Sequence, residues 1–378
     1  MLLDPGWREE DFQRVKQDAI HLLEVNLRNN DEELAKELLE EDIYRGMPYG
    51  EYSAGSISSL RNITLDDLKH FYRAHYSQAN LILGIAGGYS PEFLERMKQD
   101  FRRLPEGGGF RPRDKVPSLI DHNRATIIEK RTRPVAISIG FPTLGTRANP
   151  DYPALLLVSS YLGQHRSGNG VLFQRMREKR GLNYGDYAYI EYFPRGMFQF
   201  EPSPNLGRHY QTFQVWIRPV EPENAPFALR LALYELKKLY DEGISEDGFE
   251  QTRDFLSKYV NLLTKSKSAE LGYAIDSIYY GIPDYNKYVK DRLATLTRDE
   301  VNRVIKRYLR TDRFVIVAVA DHAEDLKKAL TSGQPSPIKY NSPKPRDILD
   351  EDKVVEKFPL NLRPVDVTVV PVDQVFEN

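Results

Sequence analysis

The sequence predicts an α+β fold of two homologous units, each an antiparallel-dominated sheet with helices on one face, the first incomplete at its N-terminal side. Repetition is the first observation behind this. Ile43-Tyr44-Arg45-Gly46-Met47-Pro48 returns as Ile278-Tyr279-Tyr280-Gly281-Ile282-Pro283, and Thr64-Leu65-Asp66-Asp67-Leu68 returns as Thr297-Arg298-Asp299-Glu300-Val301. From Thr64 the copies run without a gap at an offset of 233, through a basic helix into the apolar strands Leu81–Ala86 and Phe314–Val319. Glu10–Arg14 echoes Asp247–Gln251 at an offset of 237. The second observation is asymmetry: residues 119 to 244 precede the second copy, and almost nothing precedes the first. Duplicated units begin with the same elements because each buries the same face, so roughly 110 to 120 residues completing the first unit are expected outside this chain. The third is the segment Pro105–Pro117, rich in glycine, proline and charge, which reads as a linker. The boundaries that follow are 1–104 for the first unit, 105–118 for the linker, 119–331 for the second unit, and 332–378 for a proline-rich strap with a terminal strand.

In the first unit, residues 8–29 and 31–45 read as helices with Asn29-Asn30-Asp31 as break and N-cap, and Ser56–Leu60 as a helical turn. Thr64 caps the next helix with Asp67 at the third position, a capping box with Asp in place of Glu. Asn80–Gly88 reads as an apolar strand, and Ser90 caps a helix over 91–103. The second unit opens with strands near 125–130 and 134–141, then the apolar helix Asp151–Gly163, the loop His165–Gly170 and the helix Val171–Lys179. Strands follow near 184–192, 196–202 and 211–218, then helices near 222–242, 245–264, 268–281 and 297–310. A strand at 313–320 and a helix at 322–331 close the unit; 332–364 is expected to be mostly irregular, with a strand at Val365–Val370.

Composition excludes several chemistries. With 378 residues the chain is long enough for two cores, and a net charge of −2 gives no reason to expect nucleic acid or a membrane surface. No apolar run approaches the roughly 20 residues of a membrane span. The absence of cysteine rules out a thiolate nucleophile, a disulfide framework and Cys-containing zinc sites, and fits an exported bacterial protein (a periplasmic one, for example) as well as an internal one. The glycine cluster 107–109 lacks a following Lys-Ser/Thr and is no phosphate loop; Ser159 and Ser167 have no recognisable His and Asp partners.

One stretch is specific: Leu172-Phe173-Gln174-Arg175-Met176-Arg177-Glu178-Lys179-Arg180-Gly181-Leu182-Asn183-Tyr184. Together with Asn149–Leu155, Met47-Pro48-Tyr49-Gly50, Gly55 and Tyr76–Gly88, it resembles the pitrilysin/insulinase family of zinc peptidases (the inverzincins), in their bacterial two-domain subunit type, over residues 8 to 331. The resemblance implies two peptidase-like domains clasping an interior chamber, and a peptide or protein substrate. It gives Arg177 and Tyr184, seven residues apart, the role of gripping a substrate carbonyl and stabilising its oxyanion. A guanidinium fork and a phenol are fixed donors suited to that task. On spacing alone, the better reading is Arg177 as one of four cations on a solvated helix face and Tyr184 as a half-buried strand residue. If Arg177 grips substrate, Arg175 and Arg180 are expected to matter far less to peptide turnover than Arg177.

The family's metal motif, H-x-x-E-H with a distal glutamate as third ligand, is absent. The seven histidines are His21, His70, His75, His122, His165, His209 and His322; only His70 and His75 lie close, and a spacing of five puts them on different helix faces. The third-ligand position falls at Leu22-Leu23-Glu24, with leucine in register and Glu24 one residue off. No metal ligand and no cofactor is therefore assigned to this chain, and zinc is expected on a partner or a missing segment. The leading expectation is a zinc-free, substrate-gripping half, inactive without a zinc-bearing homologous subunit, or assembled as a homo-oligomer. The alternatives are a non-catalytic core-type scaffold of the same fold, a truncated active metalloendopeptidase, and a peptide-binding module without chemistry.

Overall fold

The computed structural model describes residues 2–109, 116–118, 120–164, 169–192 and 204–378. The expected strand at 196–202, most of the loop His165–Gly170 with Ser167, and the centre of the linker lie outside the described residues. In chain order the elements are α1 (Glu9–His21), continued by a π-helical turn Leu22–Leu27, α2 (Asp31–Ile43), α3 (Ile57–Asn62), α4 (Leu65–His75) and α5 (Pro91–Phe101). Next come β1 (Arg124–Glu129), β2 (Val135–Thr143), α6 (Tyr152–Gly163), a second π-helical segment Phe173–Glu178, β3 (Asp186–Tyr189) and β4 (Gln211–Val220). The remainder is α7 (Ala225–Glu242), α8 (Glu246–Leu263), α9 (Lys267–Tyr280), α10 (Tyr285–Thr295), α11 (Arg298–Tyr308), β5 (Val315–Ala320), α12 (Ala323–Thr331), α13 (Arg346–Val355) and β6 (Val367–Pro371). Thr64 and Thr297 each close a capping box, with Asp67 and Glu300. Two helices escaped the sequence reading: α10, capped by Asp284, and α13 inside the proline-rich strap.

The strands form one six-stranded sheet in the order β3-β4-β2-β5-β1-β6. The pairs β3–β4, β4–β2 and β2–β5 are antiparallel; β5–β1 and β1–β6 are parallel. This is an α+β, antiparallel-dominated sheet, with α6, α7 and α12 packed on one face. The other face is covered by α2, which comes from the N-terminal part of the chain. A Cβ on Gly140 of β2 would meet Leu39 and Ile43 of α2 at 3.2 Å each. Side chains alternate along strands, so Thr126, Ser138, Trp216 and Val317, which share Gly140's face through the strand register, look toward α2.

That face is polar, and α2 is charged to match it. Thr126 Oγ1 donates to Asp42 at 2.8 Å, Thr212 Oγ1 to Glu40 at 2.7 Å, and Tyr44 OH to the Gln211 carbonyl at 2.7 Å. Arg208 pairs with Glu40, and Lys130 with Asp31. Burial pushes the carboxyls of Glu37 and Glu40 above their ordinary range, against the pull of Lys36 and Arg208 respectively. Charges this deep persist only because partners compensate their desolvation.

The expected strand Leu81–Ala86 forms no ladder with any described residue. Its sequence suits a strand, but a strand needs a neighbour to take its backbone groups. The segment instead lies against α9, where a Cβ on Gly84 would meet Ile275 and Leu271 side chains at 2.8 and 2.9 Å. Helix α9 is itself held to the sheet by Arg147. From the loop after β2, its guanidinium reaches Glu191 at 2.8 Å and Asp276 of α9 at 2.8 Å.

Candidate functional site

The segment carrying Arg177 and Tyr184 is a helix end, a turn and a strand start. Leu172 and Met176 are fully buried and anchor the inner side. Between Phe173 and Glu178 the backbone winds as a π-helix, with Lys179 N donating to the Gln174 carbonyl at 3.0 Å. Such wide turns concentrate at functional sites. Gly181 at φ +69° ends the helix in the left-handed conformation, its N–H on the Arg177 carbonyl at 2.7 Å and Leu182 N–H on that of Met176 at 3.1 Å. Asn183 pins the turn, donating to Asp186 Oδ1 at 2.8 Å and to the Arg218 carbonyl at 3.0 Å while accepting from Gly185 N–H at 3.1 Å. Tyr184, the residue between these fixed points, is 82% exposed. It is not the half-buried strand residue that alternation alone would make it, because β3 begins only at Asp186.

The four cations of the stretch sort into different roles. Arg175 donates to Glu235 of α7 at 2.6 Å and pairs with Glu351 of α13. Arg180 is wholly buried and donates to Asp352 Oδ1 at 2.8 Å, Glu351 at 2.7 Å and the Arg175 carbonyl at 3.0 Å. Both arginines thus tie the strap helix α13 to the site segment, so removing either strands buried carboxylates and lowers stability whatever it does to turnover. Lys179 is exposed. Arg177 stands between these cases, its side chain 42% exposed, its guanidinium 4.8 Å from the Phe173 ring and 3.8 Å from Glu178. A guanidinium resting on an aromatic face keeps its N–H edges free for a carbonyl or carboxylate.

Beside Tyr184 sits Asp186, fully buried, with Oδ2 lacking a partner. Burial pushes its pKa up to about 8. An acid whose folded pKa exceeds its unfolded value holds its proton in the native state while the unfolded chain has released it. Its contribution to stability is therefore lost as pH rises from about 4, the ordinary Asp value, to about 8. We predict that urea midpoints fall between about pH 4 and pH 8, and that Asp186→Asn removes part of that fall, on the order of a few kcal/mol. An unchanged pH profile in the variant would contradict the assignment.

The described residues that the sequence offered as metal ligands are engaged elsewhere. Glu24 is engaged by Arg61 at 2.9 Å. His70 Nδ1 lies 2.8 Å from the Asp66 carbonyl, and His75 rests on Phe71. Among the described residues no three histidine or acidic side chains come together as ligands. No helix among them is long and apolar enough to cross a membrane.

The family described as the peptidase M16 inactive domain matches residues 62–256, half of the chain. This chain belongs to the peptidase M16 family. That agrees with the resemblance carried by the Arg177–Tyr184 stretch. Among its relatives, a non-peptidase homolog, YmxG, from Helicobacter pylori is 20% identical over 333 residues, covering 86% of this chain and 71% of that protein. An uncharacterized zinc protease of Streptomyces coelicolor is 26% identical over 193 residues, covering 49% of this chain and 41% of its own length. YmfF of Bacillus subtilis, described as a probable inactive metalloprotease, is 22% identical over 192 residues, covering 49% of this chain and 42% of the relative. Solved structures share the fold: the peptidase M16 inactive domain of Pseudomonas fluorescens superposes with a TM-score of 0.70 at 22% identity, covering 84% of this chain and 71% of that one. A chain of complex III2 from Candida albicans does so at 0.67 and 13% identity, covering 91% and 74%.

Proposed function

We propose that this member of the M16 family is the zinc-free half of a peptide-binding chamber, gripping substrate through Arg177 and Tyr184 and relying on a homologous zinc-bearing subunit for hydrolysis. The observation that carries this reading is the sorting of the cations. Arg175 and Arg180 are consumed by buried ion pairs, whereas Arg177 and Tyr184 sit outward on a turn pinned by Gly181 and Asn183. Donors on a rigid frame, open to an incoming carbonyl, suit oxyanion stabilisation once bound peptide and a partner subunit exclude water. The names of the relatives, non-peptidase and inactive, agree with a chain that lacks H-x-x-E-H.

The test combines elemental analysis with a peptide assay. Purified without chelator, the chain is expected to carry less than about 0.1 zinc per molecule and to leave peptides intact. Peptide turnover is expected only when a zinc-bearing M16 subunit encoded beside it is added. Stoichiometric zinc or hydrolysis by the chain alone would overturn the reading. A second reading, a non-catalytic core-type scaffold, draws on the structural likeness to a complex III2 chain, and it requires no contribution from Arg177 or Tyr184.

A further inference from the structure

The turn that presents Tyr184 is held from below by one carboxyl. Asp186 opens β3, and strand alternation puts its side chain on the α6 side of the sheet, opposite Tyr187, whose cross-strand partner Trp216 looks toward α2. Helix α6 closes over it: a Cβ on Gly163 would meet the Asp186 carbonyl at 3.0 Å, and Ser159 Oγ donates to the Ala188 carbonyl at 2.8 Å. Under this cover Asp186 is 1% exposed. Its Oδ1 accepts from Asn183, and its Oδ2 has no partner.

No counter-charge is committed to this carboxyl. Arg218 of β4 is the cation that acts on it, but its guanidinium is paired with Glu32 of α2 at 3.1 Å. On the π-helical segment, Arg175 is taken by Glu235 and Glu351, and Arg177 lies on the Phe173 ring beside the exposed Glu178. Helix α6 carries no charged side chain, and its phenols Tyr152 and Tyr161 lie against Tyr285 and Gly248 instead. A carboxyl in such surroundings keeps its proton, and burial holds its pKa up at about 8.

Both donors of the site hang on the residue that Asp186 holds. Asn183 also bonds to the Arg218 carbonyl and to Gly185 N–H, so its amide fixes both flanks of Tyr184. Gly185 is buried at φ +155°, and a Cβ there would meet the Tyr187 hydroxyl at 3.0 Å and the Phe173 ring at 3.7 Å. That same ring carries the Arg177 guanidinium.

We propose that Asp186 is a positioning residue for Tyr184 and Arg177: its uncharged carboxyl holds Asn183, and through Asn183 and Gly185 it fixes the phenol and the Phe173 ring under the guanidinium. The role rests on the gripping function proposed above. Ionised Asp186 is a buried anion with a single side-chain hydrogen bond, and water drawn to its Oδ2 enters past the turn, because β4 and α6 close the other sides. The turn then loosens, and the two donors lose their fixed aim.

Two measurements test this, and one needs no activity. Hydrogen exchange of amides 182–186, corrected for its intrinsic pH dependence, is expected to lose about 10-fold in protection between about pH 6.5 and about pH 9.5 in the wild-type chain. Asp186→Asn, whose amide mimics the uncharged acid, should show no such loss. Asn183→Ala should be unprotected already at the lower pH and insensitive to the rise, which carries the test if Asp186→Asn fails to fold. In the second measurement turnover is followed with a zinc-bearing homologous subunit, where circular dichroism shows every protein folded. Wild-type turnover should match that of Asp186→Asn near pH 6.5 and drop about 10-fold below it near pH 9.5, in kcat rather than in KM. Asp186→Ala, which cannot hold Asn183, should lose about 10-fold already near pH 6.5. Flat wild-type exchange overturns the proposal, and so does an equal loss in Asp186→Asn or a loss that persists in Asn183→Ala. Parallel turnover profiles overturn it too when Tyr184→Phe lowers turnover, and gripping then stands without Asp186. If Tyr184→Phe leaves turnover unchanged, the gripping reading falls, and exchange alone decides whether Asp186 holds the turn.

Discussion

Arg147→Ala is expected to destabilise the protein by about 3–5 kcal/mol, the cost of leaving buried carboxylates without their counter-charge. Arg147 is nearly inaccessible, as are Glu191 and Asp276. Its guanidinium holds Glu191 through two N–H groups, at 2.8 and 3.3 Å, and Asp276 through a third at 2.8 Å. The rings of Tyr273 and Tyr285 lie 4.9 and 5.0 Å from it. Burial raises the Asp276 pKa and Arg147 opposes that rise, so in the variant Asp276 would take up a proton or remain as an uncompensated charge. The same residue fastens α9 to the sheet, and α9 in turn supports Gly84. Loss of Arg147 should therefore loosen residues 81–86 before the sheet unfolds. Denaturant midpoints give the first quantity and hydrogen exchange the second. Arg147→Met combined with Glu191→Gln should recover part of the loss, because only Asp276 is then left without its counter-charge. A single-variant cost below about 1 kcal/mol would show that solvent reaches the triad.

How much of this was legible in the sequence depended on how far each cause lay along the chain. The capping box at Thr64 is complete within four residues and was read from the sequence; the structure adds the equivalent box at Thr297. Strands β1, β2, β4 and β5 could be read because their apolar runs are local. Helix α13 was not, since proline dominates its surroundings; the signal that could have found it is the spacing of Ile348, Asp352 and Val355, all buried. The resemblance set Arg177 apart, but the ion pairs that hold its neighbours were beyond sequence reading. Arg180 finds Glu351 and Asp352 at separations of 171 and 172 residues, and no local pattern announces that. Residues 81–86 show the converse case, a clear strand pattern whose outcome is decided by neighbours the pattern does not contain. For Glu24, the sequence could say only that it lies one residue from the ligand register, which a leucine fills; the contact with Arg61 gives that carboxylate a partner other than a metal.

The sharpest expectation concerns Arg177 and Tyr184 themselves. If they grip a substrate carbonyl, Arg177→Ala or Tyr184→Phe removes one donor from a preorganised oxyanion site, which typically costs about 3 kcal/mol, or roughly two to three decades in rate. Assayed with a zinc-bearing homologous subunit, the loss should fall mainly on turnover and little on apparent affinity, because the charge these donors meet exists only in the transition state. Folding should be nearly untouched, within about 0.5 kcal/mol, since both side chains face solvent. That separates them from Arg175 and Arg180, whose removal should lower stability through Glu235, Glu351 and Asp352 whatever the assay shows. The proper comparison is Lys179→Ala, a neighbouring exposed cation that should change turnover little. A loss shared equally by Lys179 and Arg177 would point to a general electrostatic contribution of the helix end. Unchanged turnover in Arg177→Ala and Tyr184→Phe would remove the gripping role and leave the scaffold reading in its place.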